Sequence, residues 1–343
     1  MALKWFDGAE LWSAGGYWNA AYLAGSMAST TTFRVSPGTR SMSYNAGFLQ
    51  TPSLGALQNT WFVGFGLRIS AQTSAMFEWR VYSASTVQCF LRAIISGAGF
   101  KLELVRGSTI IATTSAVYSL NAWNYFELKV VVRTGTNGSY ELRANTVSQF
   151  SGSGVNLANG GADGADAHSF GHNSGGNDNF LDDIYICDDT GSANNNFLGD
   201  KVCVHVLPSA DGASSTWSTS TGSNHAALVD DPNTAPNDSD YIHSDTNGNK
   251  DLFEFSDLPA TGIGTINGIM LSLRASMEAT GSRVLRPKFR NSGGTEAACG
   301  ADQTINSTIV TEHPVFVEQN PVSAAAWTKS DIDGGQFGVE VIS

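Results

Sequence analysis

Short stretches in which apolar and polar residues alternate, separated by clusters of turn residues, follow one another along most of the chain. Residues 100–106 (FKLELVR) show this alternation most clearly. The pattern is typical of a β-strand with one face buried and the other exposed to solvent. Residues 123–133 (WNYFELKVVVR) and 139–144 flank an Asn-Gly pair at 137–138, and this arrangement predicts a β-hairpin.

The same pattern continues to the C-terminus. Predicted strands include residues 180–187, 201–207, 226–229 and 251–255, and apolar residues spaced for an amphipathic helix are nearly absent. We therefore predict an all-β chain. Many short strands, with turns roughly every eight to twelve residues, indicate a β-sandwich or a barrel. No repeat of fixed period occurs, which disfavours a solenoid or a propeller.

The length predicts more than one domain. The chain has 343 residues, whereas a typical domain has roughly 150. A stretch rich in Gly, Asn and Asp at 151–179 and a polar turn at 188–196 precede Asp200, where we place the boundary. The prediction is two β-sandwich domains of jelly-roll type in tandem, residues 1–200 and 201–343.

Composition and charge exclude two classes of partner. The sequence is 41% apolar and 15% charged, and its 31 acidic and 19 basic residues give a net charge of −12. A surface of this charge repels phosphate backbones, so we expect no direct nucleic-acid binding. No stretch approaches 18 consecutive apolar residues, so we expect no membrane span. The N-terminus also lacks the pattern of a cleaved signal peptide, which predicts synthesis in a cytoplasm.

Cysteine spacing suggests neither a zinc site nor a redox motif. Cys89, Cys187, Cys203 and Cys299 are scattered and form no C-x-x-C pair. We expect buried free thiols, since free cysteine is among the most often buried residue types. A disulfide between Cys187 and Cys203 is an open alternative.

No catalytic constellation stands out in the sequence. The E-x-D-x-x-E pattern of concanavalin-like glucanases and the G-x-S-x-G elbow of hydrolases are both absent. Glu78, between aromatic residues, is the most tempting carboxylate, but a solvent-facing position on an alternating strand explains it better. His168 and His172 are four residues apart, but Gly171 between them argues against the helix that would bring them to one zinc ion. We therefore predict a protein that is not an enzyme.

Calcium is the metal ion that the sequence favours. It binds carboxylate and carbonyl oxygens in loops, and Asp182 and Asp183 are the first candidates as ligands. The alternative is that this pair marks a turn and a strand, and that its carboxylates hold hydrogen bonds of the loop.

Aromatic residues in polar surroundings are candidates for binding a glycan or a protein partner. The C–H face of a sugar packs on Trp or Tyr, while neighbouring polar groups bond its hydroxyls. We expect Tyr17 and Trp18, which follow a Gly-Gly pair, and Trp217, within the polar stretch 214–223, to be exposed for such contacts.

Four local patterns, taken together, resemble virion structural proteins of tailed bacteriophages. They are residues 5–12 (WFDGAELW), 123–130 (WNYFELKV), 181–186 (LDDIYI), and the ending formed by 326–328 (AWT) and 337–341 (FGVEV). The first domain of those proteins is a lectin sandwich similar to concanavalin A and laminin G. The resemblance implies a concanavalin A-like fold for the first domain here.

The resemblance also implies a function. We expect a non-enzymatic structural component of a tailed-phage virion, namely a head decoration, capsid fibre or tail-associated protein. Its expected partners are other capsid or tail proteins and further copies of itself. One alternative is a receptor-binding lectin that recognises a host surface polysaccharide. Another is a glycan depolymerase, which would need a pair of carboxylates in one cleft.

Overall fold

The computed structural model describes residues 1–10, 23–36, 38–71, 76–172, 179–232 and 236–343. They form antiparallel strands with two short helical segments, which confirms the all-β prediction. The chain divides into two compact units, Met1–Cys203 and Val204–Ser343.

The described part of the first unit contains fourteen strands. They are β1 (Leu3–Asp7), β2 (Leu23–Thr30), β3 (Ser41–Gln50), β4 (Thr60–Ile69), β5 (Glu78–Ser83), β6 (Thr86–Ser96), β7 (Gly99–Arg106), β8 (Thr109–Thr113), β9 (Tyr118–Ser119), β10 (Asn124–Val131), β11 (Gly138–Ala144), β12 (Val147–Val155), β13 (Ala167–His172) and β14 (Asn179–Asp188). The order of neighbours is β12-β11-β10-β4-β14-β3-β13-β5-β6-β7-β8, with β1 beside β14, β2 beside β3 and β9 beside β7.

These strands fold into a β-sandwich of the jelly-roll type, as the sequence predicts. Its core lies between the β10-β4 part and the β13-β5 part of the strand order. The ring of Phe65 on β4 has its centroid 6.0 Å from that of Phe126 on β10 and 5.9 Å from that of Phe170 on β13. The predicted hairpin is confirmed, since β10 and β11 pair from Phe126 with Ala144 to Val131 with Ser139.

Strand β4 is buried on both faces, which explains its nearly continuous apolar sequence. Its two glycines leave room for large side chains on the face away from the core. A Cβ atom on Gly64 would lie 2.1 Å from the ring of Tyr185, and one on Gly66 would lie 2.5 Å from Cδ of Arg34. Both positions therefore require glycine.

A β-bulge interrupts β14. Its register against β4 shifts between Asp182 and Tyr185, and Asp183 within the bulge has a φ of 50°, which non-glycine residues rarely adopt. Asp182 and Asp183 are each only 2% exposed. The bulge thus buries two successive carboxyl groups.

The second unit is also all-β. Its described elements are β15 (Pro208–Ser215), β16 (Ser218–Thr219), the 3₁₀ helix Ala226–Leu228, β17 (Ile242–His243), β18 (Lys250–Phe255), β19 (Ile269–Ala275), β20 (Arg283–Arg290), β21 (Glu296–Ala298), β22 (Gln303–Ile305), β23 (Thr311–Val317), α1 (Lys329–Asp333) and β24 (Gln336–Val341). One sheet has the order β15-β18-β24-β20-β21, with β22 beside β20, and β19 pairs with β23.

An aromatic cluster forms the centre of the second unit. Phe289, Trp327 and Phe337 pack with ring centroids 5.0 to 5.9 Å apart. Trp327 is followed by α1, which begins with a capping box between Thr328 and Asp331. The "AWT" and "FGVEV" patterns of the sequence are therefore parts of this core and its flanking helix.

Two predicted strands are wrong. Residues 201–207 form no strand, because the backbone N–H of Cys203 donates to the carboxylate of Asp183 rather than to a neighbouring strand. Residues 226–229 contain a 3₁₀ turn instead, because the carboxylate of Asp211 accepts the N–H groups of His225 and Ala226. In both places a distant carboxylate takes the hydrogen bond that a strand would need.

All four cysteines are free thiols, so Cys187 and Cys203 are not bridged. Cys89, Cys187 and Cys299 are buried as expected, whereas Cys203 is half-buried. No helix among the described residues is long and apolar enough to cross a membrane.

Candidate functional site

The two outer faces of the first unit differ. Residues 197–203, which we call the strap, lie against the face formed by β10, β4 and β14. Phe197 and Leu198 of the strap pack on a cluster that includes Phe62 of β4 and Tyr185 of β14. The Phe197 ring meets that of Phe62 edge to face, with centroids 5.4 Å apart. This face is therefore part of a second, smaller core.

One anchor of the strap is a buried hydrogen-bonded pair. The hydroxyl of Tyr185 donates to Oε1 of Glu127 at 2.5 Å, and the same oxygen accepts the N–H of Gly199 at 2.7 Å. Leu198 donates its N–H to the Tyr185 hydroxyl. Burial, reinforced by the charge of Glu127, raises the pKa of Tyr185 well above its usual value, so the phenol stays protonated and keeps donating.

The second anchor is Arg34. Its Nε donates to Asp183 at 2.9 Å, its Nη1 pairs with Asp200 at 2.8 Å, and its Nη2 donates to the carbonyl oxygen of Lys201. The backbone N–H of Arg34 donates to Asp182 at 2.9 Å. One guanidinium thus connects the bulge of β14 to the strap.

Burial raises the pKa of both carboxyl groups in the bulge. For Asp182 the neighbouring charge of Asp183 adds to burial. For Asp183 the charge and hydrogen bond of Arg34 oppose burial. A pair with one arginine between them favours a single negative charge shared by the two carboxyls.

Asp182 and Asp183 are the candidate calcium ligands. Asp182 and Asp183 are brought together, but their oxygens accept bonds from Arg34 and Cys203. Within the described ranges, no group of three or more His, Cys, Asp or Glu side chains is arranged to hold a metal ion. Calcium at this pair stays a prediction.

The other outer face, formed by β5, β6 and β7, retains accessible polar side chains, and we call it the open face. Strand register places Glu78, Arg92 and Glu103 side by side in one row across the three strands. A second row holds Arg80, Phe90 and Val105. Every second residue of a strand points to the same side, so the two rows share one face, on which Glu103 and Val105 of β7 are buried.

Ion pairs hold the charged residues of the open face. Glu78 accepts from Nε and Nη2 of Arg80 at 2.7 and 2.5 Å, and Glu103 accepts from Arg92 at 2.7 Å. Partial burial opposes the charged form of Arg80, but the charges and hydrogen bonds of Glu78 and Tyr82 outweigh it. The pKa of Arg80 is therefore raised. Both guanidinium groups are therefore fixed in orientation.

Aromatic and small residues complete the open face. The guanidinium of Arg80 lies 4.3 Å from the ring centroid of Phe48, an attractive cation–π distance. Gly171 of β13 pairs in register with Glu78 of β5 on one side and with Phe48 of β3 on the other. A Cβ on Gly171 would lie 2.0 Å from the carbonyl oxygen of Gly47, so this close approach of strands depends on glycine.

A surface pocket of about 280 Å³ opens on this face. Its lining combines an ion pair, apolar side chains and an amide. The lining residues are Glu78, Arg80, Val87, Phe90, Gly107 and Asn159.

Trp217 is the one predicted glycan contact within the described residues, and it does not line this pocket. Tyr17 and Trp18 lie outside the described residues. Trp217 belongs to the second unit, where it is half-buried against a cluster that includes Leu285 and Val339, and its indole N–H donates to the carbonyl oxygen of Asn249. Its role in binding stays a prediction.

Sequence reasoning identified Glu78 but treated it as a solvent-facing strand residue, and it missed Arg80, Phe90 and Arg92. A signal was present, because charged or aromatic residues recur at every second position of 78–82 and 90–92. What was missing is the register that joins the strands into one face.

No family model and no curated protein sequence matches the chain. Solved structures similar to it include an endo-beta-1,4-glucuronan lyase from the fungus Trichoderma reesei, which is 11% identical with a TM-score of 0.40 and matches 54% of this chain and 95% of its own. The PL-14 alginate lyase from Aplysia kurodai is 9% identical, with a TM-score of 0.39 and coverages of 54% and 99%.

Domain 4 of AbnA, an arabinanase from Geobacillus stearothermophilus, determined in complex with arabinotriose, is 13% identical. Its TM-score is 0.38, and the match covers 54% of this chain and 92% of that one. Because lyases are among these structures, the prediction that the chain is not an enzyme is wrong as an exclusion.

Proposed function

We propose that the first unit recognises a polysaccharide through its open face. The observation that carries this proposal is the pocket, which places the apolar side chains of Val87 and Phe90 beside the Glu78–Arg80 ion pair and the amide of Asn159. Sugars need this combination, since their C–H faces pack on apolar or aromatic groups and their hydroxyls bond to fixed polar groups.

The polar groups of the pocket are held in place before any ligand binds. Arg80 is fixed by Glu78 and lies over Phe48. Asn159 is fixed as well, because its backbone N–H donates to Oε1 of Gln88 and its Nδ2 donates to the carbonyl oxygen of Val87. Fixed groups lose little conformational entropy on binding, which favours affinity.

Polysaccharide lyases and a domain bound to arabinotriose are among the chains of similar fold. Their presence is consistent with carbohydrate recognition. The proposal itself rests on the chemistry of the pocket.

We further propose that this recognition serves attachment by a tailed-phage virion, of which the chain would be a surface component. The sequence patterns at 123–130 and 181–186 support this proposal through their resemblance to virion proteins. Partners would be capsid or tail proteins and further copies of the chain. Mass spectrometry and cryo-electron microscopy of purified particles test it: ordered copies on head or tail are expected, and particles without the chain contradict it.

Glycan binding is tested with a matched pair of variants on β6. Phe90→Ala removes the aromatic wall of the pocket, whereas Ile95→Ala removes an exposed side chain of the same strand, 53% accessible, that is not among the lining residues. We expect the full chain to bind one member of an oligosaccharide panel in calorimetry. Phe90→Ala should weaken that binding at least tenfold, while Ile95→Ala should leave it unchanged.

After the calorimetry, mass spectrometry of the oligosaccharides in the same samples shows whether the ligand has been cleaved. A panel without a ligand, or equal affinities for wild type and Phe90→Ala, contradicts glycan binding at this pocket. Circular dichroism of both variants controls for folding.

A further inference from the structure

The charges at the pocket cancel within the protein. Glu78 and Arg80, its two charged lining residues, pair with each other through two hydrogen bonds to one carboxylate oxygen. Next to them, Arg92 pairs with Glu103 through Nε and Nη2. The open face therefore presents two closed ion pairs beside the pocket rather than a guanidinium free to take an acid.

Other cations of β7 do not line the pocket. Lys101 lies opposite Ile94 in register, on the far side of the Arg92–Glu103 row from Phe90. Arg106 directs its Nη1 to the carbonyl oxygen of Asn156 at 3.3 Å. Neither provides the bidentate contact that carboxylate recognition favours.

The charge of the first unit as a whole gives a polyanion no long-range attraction. Residues 1–203 contain 12 Lys and Arg against 14 Asp and Glu. Like-charged macromolecules approach without electrostatic steering.

From these observations we infer that the pocket takes an uncharged sugar of a neutral polysaccharide, not a uronate. The inference rests on the proposed glycan-binding function and specifies its ligand class. An ion pair offers hydroxyl groups both a donor and an acceptor, and neither charge has to be displaced. A uronate carboxylate would have to compete with Glu78 for Arg80, and the displaced Glu78 would then lie next to the incoming negative charge.

A pair of matched variants isolates this charge balance. Glu78→Gln leaves Arg80 without its carboxylate at the pocket. Glu141→Gln leaves Arg143 without its carboxylate in the same way, because Glu141 and Arg143 form an ion pair with the same two-residue spacing on β11, which is not among the pocket's strands. Only the first substitution should change which ligands the pocket accepts.

The experiment is calorimetry on the full chain with two classes of probe at low and high NaCl. The neutral probes are tetrasaccharides of glucose, mannose or galactose, and the acidic probes are tetrauronates of glucuronate or mannuronate. We expect a neutral probe to bind with an affinity independent of salt, and the tetrauronates to bind at least tenfold more weakly. In Glu78→Gln, tetrauronate affinity should rise about fivefold at low salt, as one unpaired charge near a surface allows, while Glu141→Gln should behave like the wild type.

The outcomes separate the inference from the function on which it rests. Tetrauronates that bind as tightly as the neutral probes, with an affinity that falls with salt, overturn the neutral class but keep the glycan site. Tetrauronate affinity that is the same in Glu78→Gln and the wild type also overturns the charge argument. If neither class binds, the proposed function fails, and this inference fails with it.

Discussion

Asp183 accepts a hydrogen bond from Nε of Arg34 at 2.9 Å, although 149 residues separate the two in the sequence. Through this contact the bulge of β14, the loop that carries Arg34 and the strap become one structure. The strap covers one face of the sandwich, and among the described residues the pocket opens on the other. The location of the candidate site therefore depends on where the strap is anchored.

Replacing Arg34 should destabilise the first unit strongly. Arg34→Leu leaves the buried carboxylate of Asp183 without its cation, which typically costs about 3 to 5 kcal/mol. Urea unfolding of the full chain, followed by tryptophan fluorescence, measures the effect. The control is Arg68→Leu, because Arg68 donates its hydrogen bonds to Asn121 at an exposed site and its guanidinium lies 4.9 Å from the ring centroid of Phe180. Equal losses in the two variants would contradict the anchoring role of Arg34.

Removing the Tyr185 hydroxyl should loosen the strap. In Tyr185→Phe, Glu127 loses a charge-assisted hydrogen bond in a buried site, a loss of about 1.5 to 3 kcal/mol. We expect faster amide exchange at Leu198 and Gly199 in hydrogen-exchange mass spectrometry. Tyr140→Phe, at a half-buried position of β11, is the matched control. Unchanged exchange across the strap would show that its apolar contacts hold it without this bond.

The bulge should make the protein less stable as pH rises. The pKa of Asp182 is raised by burial and by the charge of Asp183, so the folded state holds a proton that the unfolded chain releases near its ordinary pKa of about 3.9. The contribution of Asp182 to stability should be greatest below that pH and fall as pH rises through the raised pKa. Urea midpoints measured across this range should fall less steeply in Asp182→Asn. If the urea midpoint of Asp182→Asn falls with pH as steeply as that of the wild type, Asp182 is not the source of the pH dependence.

His168 should act in the opposite direction. Burial lowers its pKa to about 3, because the ring lies between Trp61 and Trp79 and accepts the Trp79 indole N–H on Nδ1 at 3.2 Å. The unfolded histidine takes up a proton near pH 6.5, so its contribution is complete above that pH and is lost as pH falls towards the lowered pKa. His168→Gln should reduce this acid sensitivity, and His243→Gln, at an exposed position, should not.

Calcium at Asp182 and Asp183 can be decided by titration. If the ion binds there, added Ca²⁺ should raise the thermal midpoint, EDTA should reverse the rise, and Asp182→Asn should abolish it. A midpoint that does not respond contradicts the calcium prediction. It would leave Arg34 as the counter-charge of the pair.

The parts of the fold that depend on local pattern could be predicted from the sequence. Alternation in 100–106 predicts β7 and places Glu103 opposite the core side chains, because the side chains of a strand alternate with a period of two. The Asn-Gly turn predicts the β10–β11 hairpin for the same local reason. The open Cys187–Cys203 alternative, in contrast, was resolved only by the tertiary structure.

The errors share one cause. The segments 201–207 and 226–229 have apolar residues that suit a strand, but the carboxylates of Asp183 and Asp211 bind their backbone N–H groups or those beside them. Both carboxylates come from other elements of the chain. Local propensity cannot report a hydrogen-bond partner that only tertiary folding brings near.

By itself the sequence determined that the chain is all-β, because strand periodicity and turn chemistry are local properties. Only the tertiary structure decided that Asp182 and Asp183 meet Arg34, and that Glu78, Arg92 and Glu103 share one row of the open face. Those relationships depend on strand register and on contacts between residues far apart in the chain. A shift of one residue in register would turn each row to the opposite face, so the site exists only once the sandwich has closed.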